Sequence, residues 1–203
     1  MTLRITLLLS ALIAWPAWAQ MPAPSTAEVP RDDLVRVALD TEQGQIVLSL
    51  DRGRAPATVA NFLRYVEAKR FDGISFYRAM PYGSGSGLIQ AGITKDARLQ
   101  FPPVKHEPTS ETGLRHIEGA ISMANAGPGT ARSDFFVLAG PIPALDATGT
   151  DPGFAVFGQV VEGMEVVKAI LAAPTDPNKG EGSMKGQMIA QPVRVRTARQ
   201  VAD

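Results

Sequence analysis

From Leu34 to Asp40 the chain alternates, with Val35, Val37 and Leu39 on one face and Arg36, Ala38 and Asp40 on the other. A repeat of two is that of a strand with one buried face. Ile46, Leu48 and Leu50 repeat it beyond Gly44, and the pair predicts a hairpin. The period then changes. Val59, Phe62, Leu63 and Val66 recur at helical spacing behind Pro56, with Asn61, Arg64 and Glu67 on the face expected to meet solvent. Proline suits a first helical turn, where its missing N–H would have no partner. Phe71-Asp72-Gly73 ends the pattern.

Between Gly73 and Gly158 the apolar runs are short and separated by glycine and proline. Ser75 to Arg78, Gly119 to Met123, Phe135 to Leu138 and Ala155 to Phe157 predict short strands joined by loops. A second helix is predicted over Gly163 to Ala172, with Met164, Val167 and Ile170 or Leu171 on one face. In the last element, Gln191 to Arg196, Val193 and Val195 alternate with Arg194 and Arg196, which predicts a strand with a solvated basic face. Many short strands with two helices imply a mainly β fold, a closed sheet or barrel capped by α-helices. The pattern says nothing about chemistry.

The first residues follow a different logic. Arg4 precedes an apolar run, Ile5 to Ile13, too short to span a bilayer, and Ala17-Trp18-Ala19 has the small-x-small form of a cleavage site. Residues 1–19 therefore read as a signal peptide, and the protein is expected to be exported, to the periplasm or beyond. Residues 20–33, with Pro22, Pro24 and Pro30 and no periodicity, read as a flexible leader. Residues 34–200 remain as one domain.

Composition removes several function classes. Hydrophobic residues make up 45% and charged residues 20% of the 203, an ordinary globular balance. Twenty basic and twenty acidic residues leave no net charge, which argues against capture of nucleic acid or of a membrane surface after signal cleavage. There is no cysteine, hence no disulfide, thiol nucleophile or thiolate metal site. His106 and His116 are the only histidines, and their spacing fits no compact metal motif. No Ser-His-acid constellation stands out. Gly83 to Gly87 lacks the Lys-Ser/Thr of a phosphate loop and reads as a mobile rim loop. No metal or other cofactor is expected.

Six blocks carry the remaining information. Phe76-Tyr77-Arg78-Ala79-Met80-Pro81 is followed by Leu88-Ile89-Gln90-Ala91-Gly92, and then by Gly119-Ala120-Ile121-Ser122-Met123-Ala124-Asn125-Ala126-Gly127-Pro128. Ser133-Asp134-Phe135-Phe136, Leu145-Asp146, and Val156-Phe157-Gly158-Gln159-Val160 with Gly163-Met164 come after. In this order they resemble the motifs of the cyclophilin family of peptidyl-prolyl cis-trans isomerases. Ala55-Pro56, Val59 and Asn61-Phe62 are similar to that family's first helix. The resemblance covers Leu34 to Gln200 and implies a closed eight-stranded antiparallel barrel with a helix at each end.

It also implies a chemistry. Resonance stiffens the X-Pro amide, and unaided exchange takes tens to hundreds of seconds. Removing about 4 kcal/mol from the barrier speeds it roughly a thousandfold. The site need only hold the twisted amide better than either planar form. By resemblance Arg78 is the catalytic arginine, donating to the imide nitrogen as it regains its lone pair. Gln90 clamps the substrate backbone and partners the arginine. Ala124 and Asn125 hold the peptide through backbone groups, and Phe76, Leu88, Met123, Phe136, Leu145 and Phe154 fall on or beside substrate-pocket positions. The expected partners are proline-containing segments, bound by a monomer.

Three departures bear on this. Gly87 stands where the family has an aromatic, and Tyr82 is a candidate to replace it. Phe154 stands for a pocket histidine. Asp134 stands for a glutamine and is expected near Arg78. A remodelled rim leaves open a non-catalytic, chaperone-like proline-binding module on the same fold.

Overall fold

The computed structural model describes residues 33–83, 85–94 and 96–202. The predicted signal peptide, and the predicted leader apart from Asp33, lie outside the described residues.

The hairpin appears as predicted. Strands β1 (Leu34–Thr41) and β2 (Gly44–Asp51) pair in register from Leu34↔Asp51 to Thr41↔Gly44. Helix α1 (Pro56–Glu67) follows. Then come β3 (Ser75–Tyr82), β4 (Ser86–Gly92), the one-turn helix α2 (Thr109–Thr112), β5 (Ala120–Met123), β6 (Phe135–Leu138) and β7 (Ala155–Glu162). Helix α3 (Met164–Leu171), the two-residue β8 (Thr175–Asp176) and β9 (Met188–Val201) complete the chain. The order across the sheet is β1-β2-β7-β5-β6-β4-β3-β9, and β9 pairs again with β1. These eight strands form a closed antiparallel barrel, with β8 appended to β9. Closure leaves the ring itself without an exposed edge. The third helix, α2, is an addition to the two expected. It is a single turn, too short to leave a periodic signal.

The barrel interior is filled by alternate residues of each strand. Val37 and Leu39, Ile46 and Leu48, Ile89 and Ala91, Phe135 and Val137, and Val193 and Val195 all belong to one buried cluster. The ring of Phe62 is its hub, with centroids 5.0 Å from Phe71, 5.3 Å from Phe135 and 5.3 Å from Phe157. Burial of such a ring contributes about 1.5–3 kcal/mol. The two longer helices stopper opposite ends of β2. Helix α1 begins just beyond Asp51, whereas Val166 of α3 packs where β1 turns at Gly44, 2.8 Å from where a Cβ would lie.

Helix α1 has no side-chain cap from its own N-cap residue. Glu107 supplies one from fifty residues away. Its carboxylate accepts from Ala57 N at 3.1 Å, Thr58 N at 2.8 Å and Thr58 Oγ1 at 2.6 Å. An anion suits the positive end of a helix, where free N–H groups need acceptors. Asn61 departs from its predicted solvent-facing place. It is 4% exposed, donates through Nδ2 to Arg132 O at 2.7 Å, and accepts from Arg64 at 2.9 Å. A polar residue can sit on a buried face when both ends of its amide are paired.

A second apolar cluster lies on the outer face of the sheet. Leu88, Phe136, Leu138 and Val156 point outward there, joined by Ala120 and Ile142. Met80, Ala124, Leu145 and Phe154 pack against them. This outward patch is the floor and wall of the candidate site.

Candidate active site

One irregularity in β3 sets up the site. Phe76 pairs with Ala91 and Arg78 with Gln90, so three residues of β3 oppose two of β4. Tyr77 is the extra residue of a β-bulge. In a regular strand Phe76 and Arg78 would share a face. The bulge breaks the alternation, leaving Phe76 fully buried in the barrel while Arg78 turns outward.

Arg78 is held by neutral groups. Its Nη1 donates to Gln90 Oε1 at 2.8 Å and its Nε to Gln187 Oε1 at 2.8 Å. Its Nη2 lies 3.5 Å from Met80 Sδ, a weak acceptor. Burial pulls its pKa down from the ordinary arginine value. No carboxylate comes within ion-pair distance of it among the described residues. The guanidinium is thus fixed in direction while its charge is not quenched by an ion pair. The expected approach of Asp134 takes another form: its carboxylate meets the hydroxyl of Tyr77 at 2.7 Å, and Tyr77 accepts from Gln90 Nε2 at 2.7 Å.

Beside Arg78 opens a cavity of ≈ 430 Å³. Eight of the ten residues singled out from the sequence line it: Arg78, Leu88, Gln90, Ala124, Asn125, Phe136, Leu145 and Phe154. The other two, Phe76 and Met123, are 0% and 1% exposed and face the barrel interior. Met123 is inside because its neighbour Ser122 is outside, as strand alternation requires. Phe136 forms the floor, edge-to-face with Phe154 at 5.5 Å and 85°. The amide N–H of Phe154 donates to Leu145 O at 3.0 Å, tying the two walls together. The cavity has the size and apolar lining of a small-ligand site.

One departure acquires a physical reason. At Gly87 the backbone has φ +153°, and an added Cβ would lie 2.7 Å from Met80 O and 2.9 Å from Leu171 of α3. No side chain fits there. Tyr82 does not replace the missing aromatic: it is 49% exposed and does not line the cavity. Met80 and Leu88 supply that wall.

Sequence reasoning missed three features. Gln187 and Met184, on the segment leading into β9, reach Arg78 and the cavity rim. Nothing local in the sequence marks them, because their partners lie about a hundred residues earlier. Second, Arg132 and Thr130 line the cavity from the loop before β6. Third, a Ser-His-Asp arrangement does exist. His116 Nδ1 lies 2.7 Å from Asp146 Oδ1 and Nε2 lies 3.0 Å from Ser122 Oγ. Ser122 is 0% and His116 1% exposed, so no substrate reaches the hydroxyl. The imidazole instead stacks beneath Phe136, at 6.0 Å and 14°, while Asp146 holds the chain next to Leu145. Burial holds the His116 pKa below the ordinary imidazole range, against the pull of Asp146. The triad is a strut under the floor. No group of three or more metal-ligating side chains occurs among the described residues.

The chain is similar to known proteins in sequence and in fold. Residues 35–199 match the model of the family described as cyclophilin type peptidyl-prolyl cis-trans isomerase/CLD. The chain is 38% identical over 143 residues to peptidyl-prolyl cis-trans isomerase A of Dickeya dadantii, covering 69% of this chain and 73% of that one. It is 34% identical over 170 residues to peptidyl-prolyl cis-trans isomerase cyp18 of Streptomyces antibioticus, covering 80% and 96%. Among solved structures, a Cryptosporidium parvum cyclophilin type isomerase superposes with a TM-score of 0.67 at 19% identity, over 84% of this chain and 99% of that one. The chain belongs to the cyclophilin-type peptidyl-prolyl cis-trans isomerases.

Proposed function

We propose that the protein accelerates X-Pro rotation in exported or unfolded chains by Arg78-assisted stabilisation of the twisted amide. The observation that carries this reading is the state of Arg78: a half-buried guanidinium aimed by two amide carbonyls and a thioether, with no carboxylate among the described residues to quench it. When the C–N bond twists, the imide nitrogen regains a lone pair and becomes an acceptor. A fixed cationic donor favours that geometry over either planar form, which is the requirement for catalysis.

The residues divide the work. Phe136, Leu145, Phe154 and Leu88 receive the proline ring, which is apolar and rigid. Gln90 holds Arg78 and offers its amide to the substrate backbone. Ala124 and Asn125, on the turn beyond β5, present backbone groups to an extended peptide. A cyclophilin-type isomerase from Cryptosporidium parvum, similar in fold at a TM-score of 0.66, was solved in the presence of the dipeptide Ala-Pro, the smallest X-Pro unit. The same unit is the substrate class proposed here. Features of residues 1–19 support export, and the absence of net charge suits transient contact with extended clients. The protein acts as a monomer in this account. The test is X-Pro exchange by NMR with the parent and Arg78→Ala.

A further inference from the structure

The site contains an acid, Asp134, that has so far been given no part in the rotation. Asp134 immediately precedes β6, and its side chain lies against the backbone of Gly92. A Cβ on that glycine would fall 2.5 Å from Asp134 Cγ and 2.6 Å from Oδ1, so Gly92 makes the space the carboxylate occupies. Oδ2 accepts from Ser133 Oγ at 3.0 Å, and Ser133 in turn accepts from Ile93 N at 3.3 Å. Oδ1 accepts from the Tyr77 hydroxyl at 2.7 Å. The carboxylate is seated, not incidental.

The donors beyond it all run in one direction. Arg78 donates to Gln90 Oε1, Gln90 Nε2 donates to Tyr77, and Tyr77 donates to Asp134. An ionised carboxylate only accepts, so Tyr77 must give it its single proton. The phenol oxygen then has only lone pairs for Gln90. Gln90 must turn its NH₂ to Tyr77 and its carbonyl to Arg78. We infer that Asp134 and Tyr77 form a positioning pair that fixes which end of the Gln90 amide faces Arg78, and thereby aims the catalytic guanidinium. The inference rests on the Arg78 reading above.

Protonation of Asp134 releases the constraint. The acid donates to Tyr77, the phenol proton turns to Gln90, and the amide reverses to accept it. Donor then faces donor at Arg78, which loses one of its two carbonyl anchors. Activity should therefore need Asp134 ionised. Burial raises its pKa above the ordinary carboxylate value, against the hydrogen bonds from Tyr77 and Ser133. Other charged and titratable groups face the pair from the elements packed around it. Tyr77 is pushed far up by burial and by Asp134, and Arg78 and Arg132 are guanidiniums. In the cleft on the far side of Tyr77 and Gly92, Arg70 and Arg194 are guanidiniums and Glu42 accepts from Arg194 N at 3.3 Å. Asp72 and Asp96 there are held below the ordinary range by Arg199 and Arg98.

The test measures kcat and KM for X-Pro exchange against pH for the full chain and for Tyr77→Phe, Asp134→Asn and Arg78→Ala. NMR of the Gln90 side-chain amide is recorded in the parent over the same range. The expected parent shows kcat falling on the acid side, KM nearly level, and Gln90 resonances moving with the same midpoint. Tyr77→Phe should lose the acid limb and roughly tenfold in kcat through misaiming. Asp134→Asn should also lose the acid limb. If Arg78→Ala is inactive while both other variants keep the parent's kcat and acid limb, the positioning pair is overturned and the Arg78 reading stands. If Arg78→Ala keeps full activity, both fall together. A Gln90 amide that does not move across the parent's acid limb overturns the pair even where a variant does not fold.

Discussion

Arg78 and Gln187 lie 109 positions apart in sequence and meet at 2.8 Å, Nε to Oε1. Gln187 is itself fixed: its Nε2 donates to Ser183 O at 2.8 Å, and its backbone carbonyl accepts from Ala79 N at 3.0 Å. The segment between β8 and β9 thus supplies the second anchor of the guanidinium. Gln187→Ala leaves Nε unpaired and the head free to swing. A lost hydrogen bond of about 1 kcal/mol corresponds to roughly a fivefold fall in kcat, with KM little changed. Steady-state exchange rates of the variant check this. A change confined to KM would show that Gln187 binds substrate and does not aim Arg78.

Glu107 makes a stability prediction independent of the site. Glu107→Ala removes three hydrogen bonds from the start of α1 and leaves the Thr58 hydroxyl buried without its partner. The expected loss is about 1–3 kcal/mol in urea unfolding. Far-UV circular dichroism is the signal of choice, since the only tryptophans, Trp15 and Trp18, precede the predicted cleavage point. A midpoint equal to the parent's would mean that solvent replaces the carboxylate at no cost.

The strut beneath the pocket predicts a pH dependence of folding. His116 stays neutral in the fold at pH values where an unfolded histidine, with a pKa of about 6.5, takes a proton. Within that window the unfolded chain binds more protons, so stability rises with pH. The contribution is complete above the unfolded pKa and is lost as pH falls through it toward the depressed folded value. Unfolding free energies at about pH 8 and about pH 5.5 should differ less in His116→Asn than in the parent. Equal differences would show that His116 is not the group responsible.

The elements were legible where periodicity was regular. The hairpin of β1 and β2, the buried stripe Val59–Phe62–Leu63–Val66 and the pairing of inward Val193 and Val195 with outward Arg194 and Arg196 follow from spacing alone. Eight of the ten residues marked by motifs, Arg78 and Gln90 among them, line one cavity. What failed did so for physical reasons that spacing along the chain does not carry. The bulge at Tyr77 separates the faces of Phe76 and Arg78, and no composition rule announces a bulge. Asn61 is buried because Arg132 O and Arg64 satisfy its amide, a long-range fact. Ser122, His116 and Asp146 are brought together only by pairing of distant segments, as is Gln187 with Arg78. The fate of residues 1–19 lies outside the described residues.

Arg78 is proposed to drive the rotation. Exchange spectroscopy on a short X-Pro peptide, with the parent protein, with Arg78→Ala and without protein, tests it most directly. Cis-trans exchange is expected to be accelerated by the parent and largely lost in a folded Arg78→Ala variant, while the peptide still binds. Undiminished acceleration by that variant would contradict the role of Arg78, and a folded parent that binds the peptide without speeding its exchange would contradict catalysis at this site.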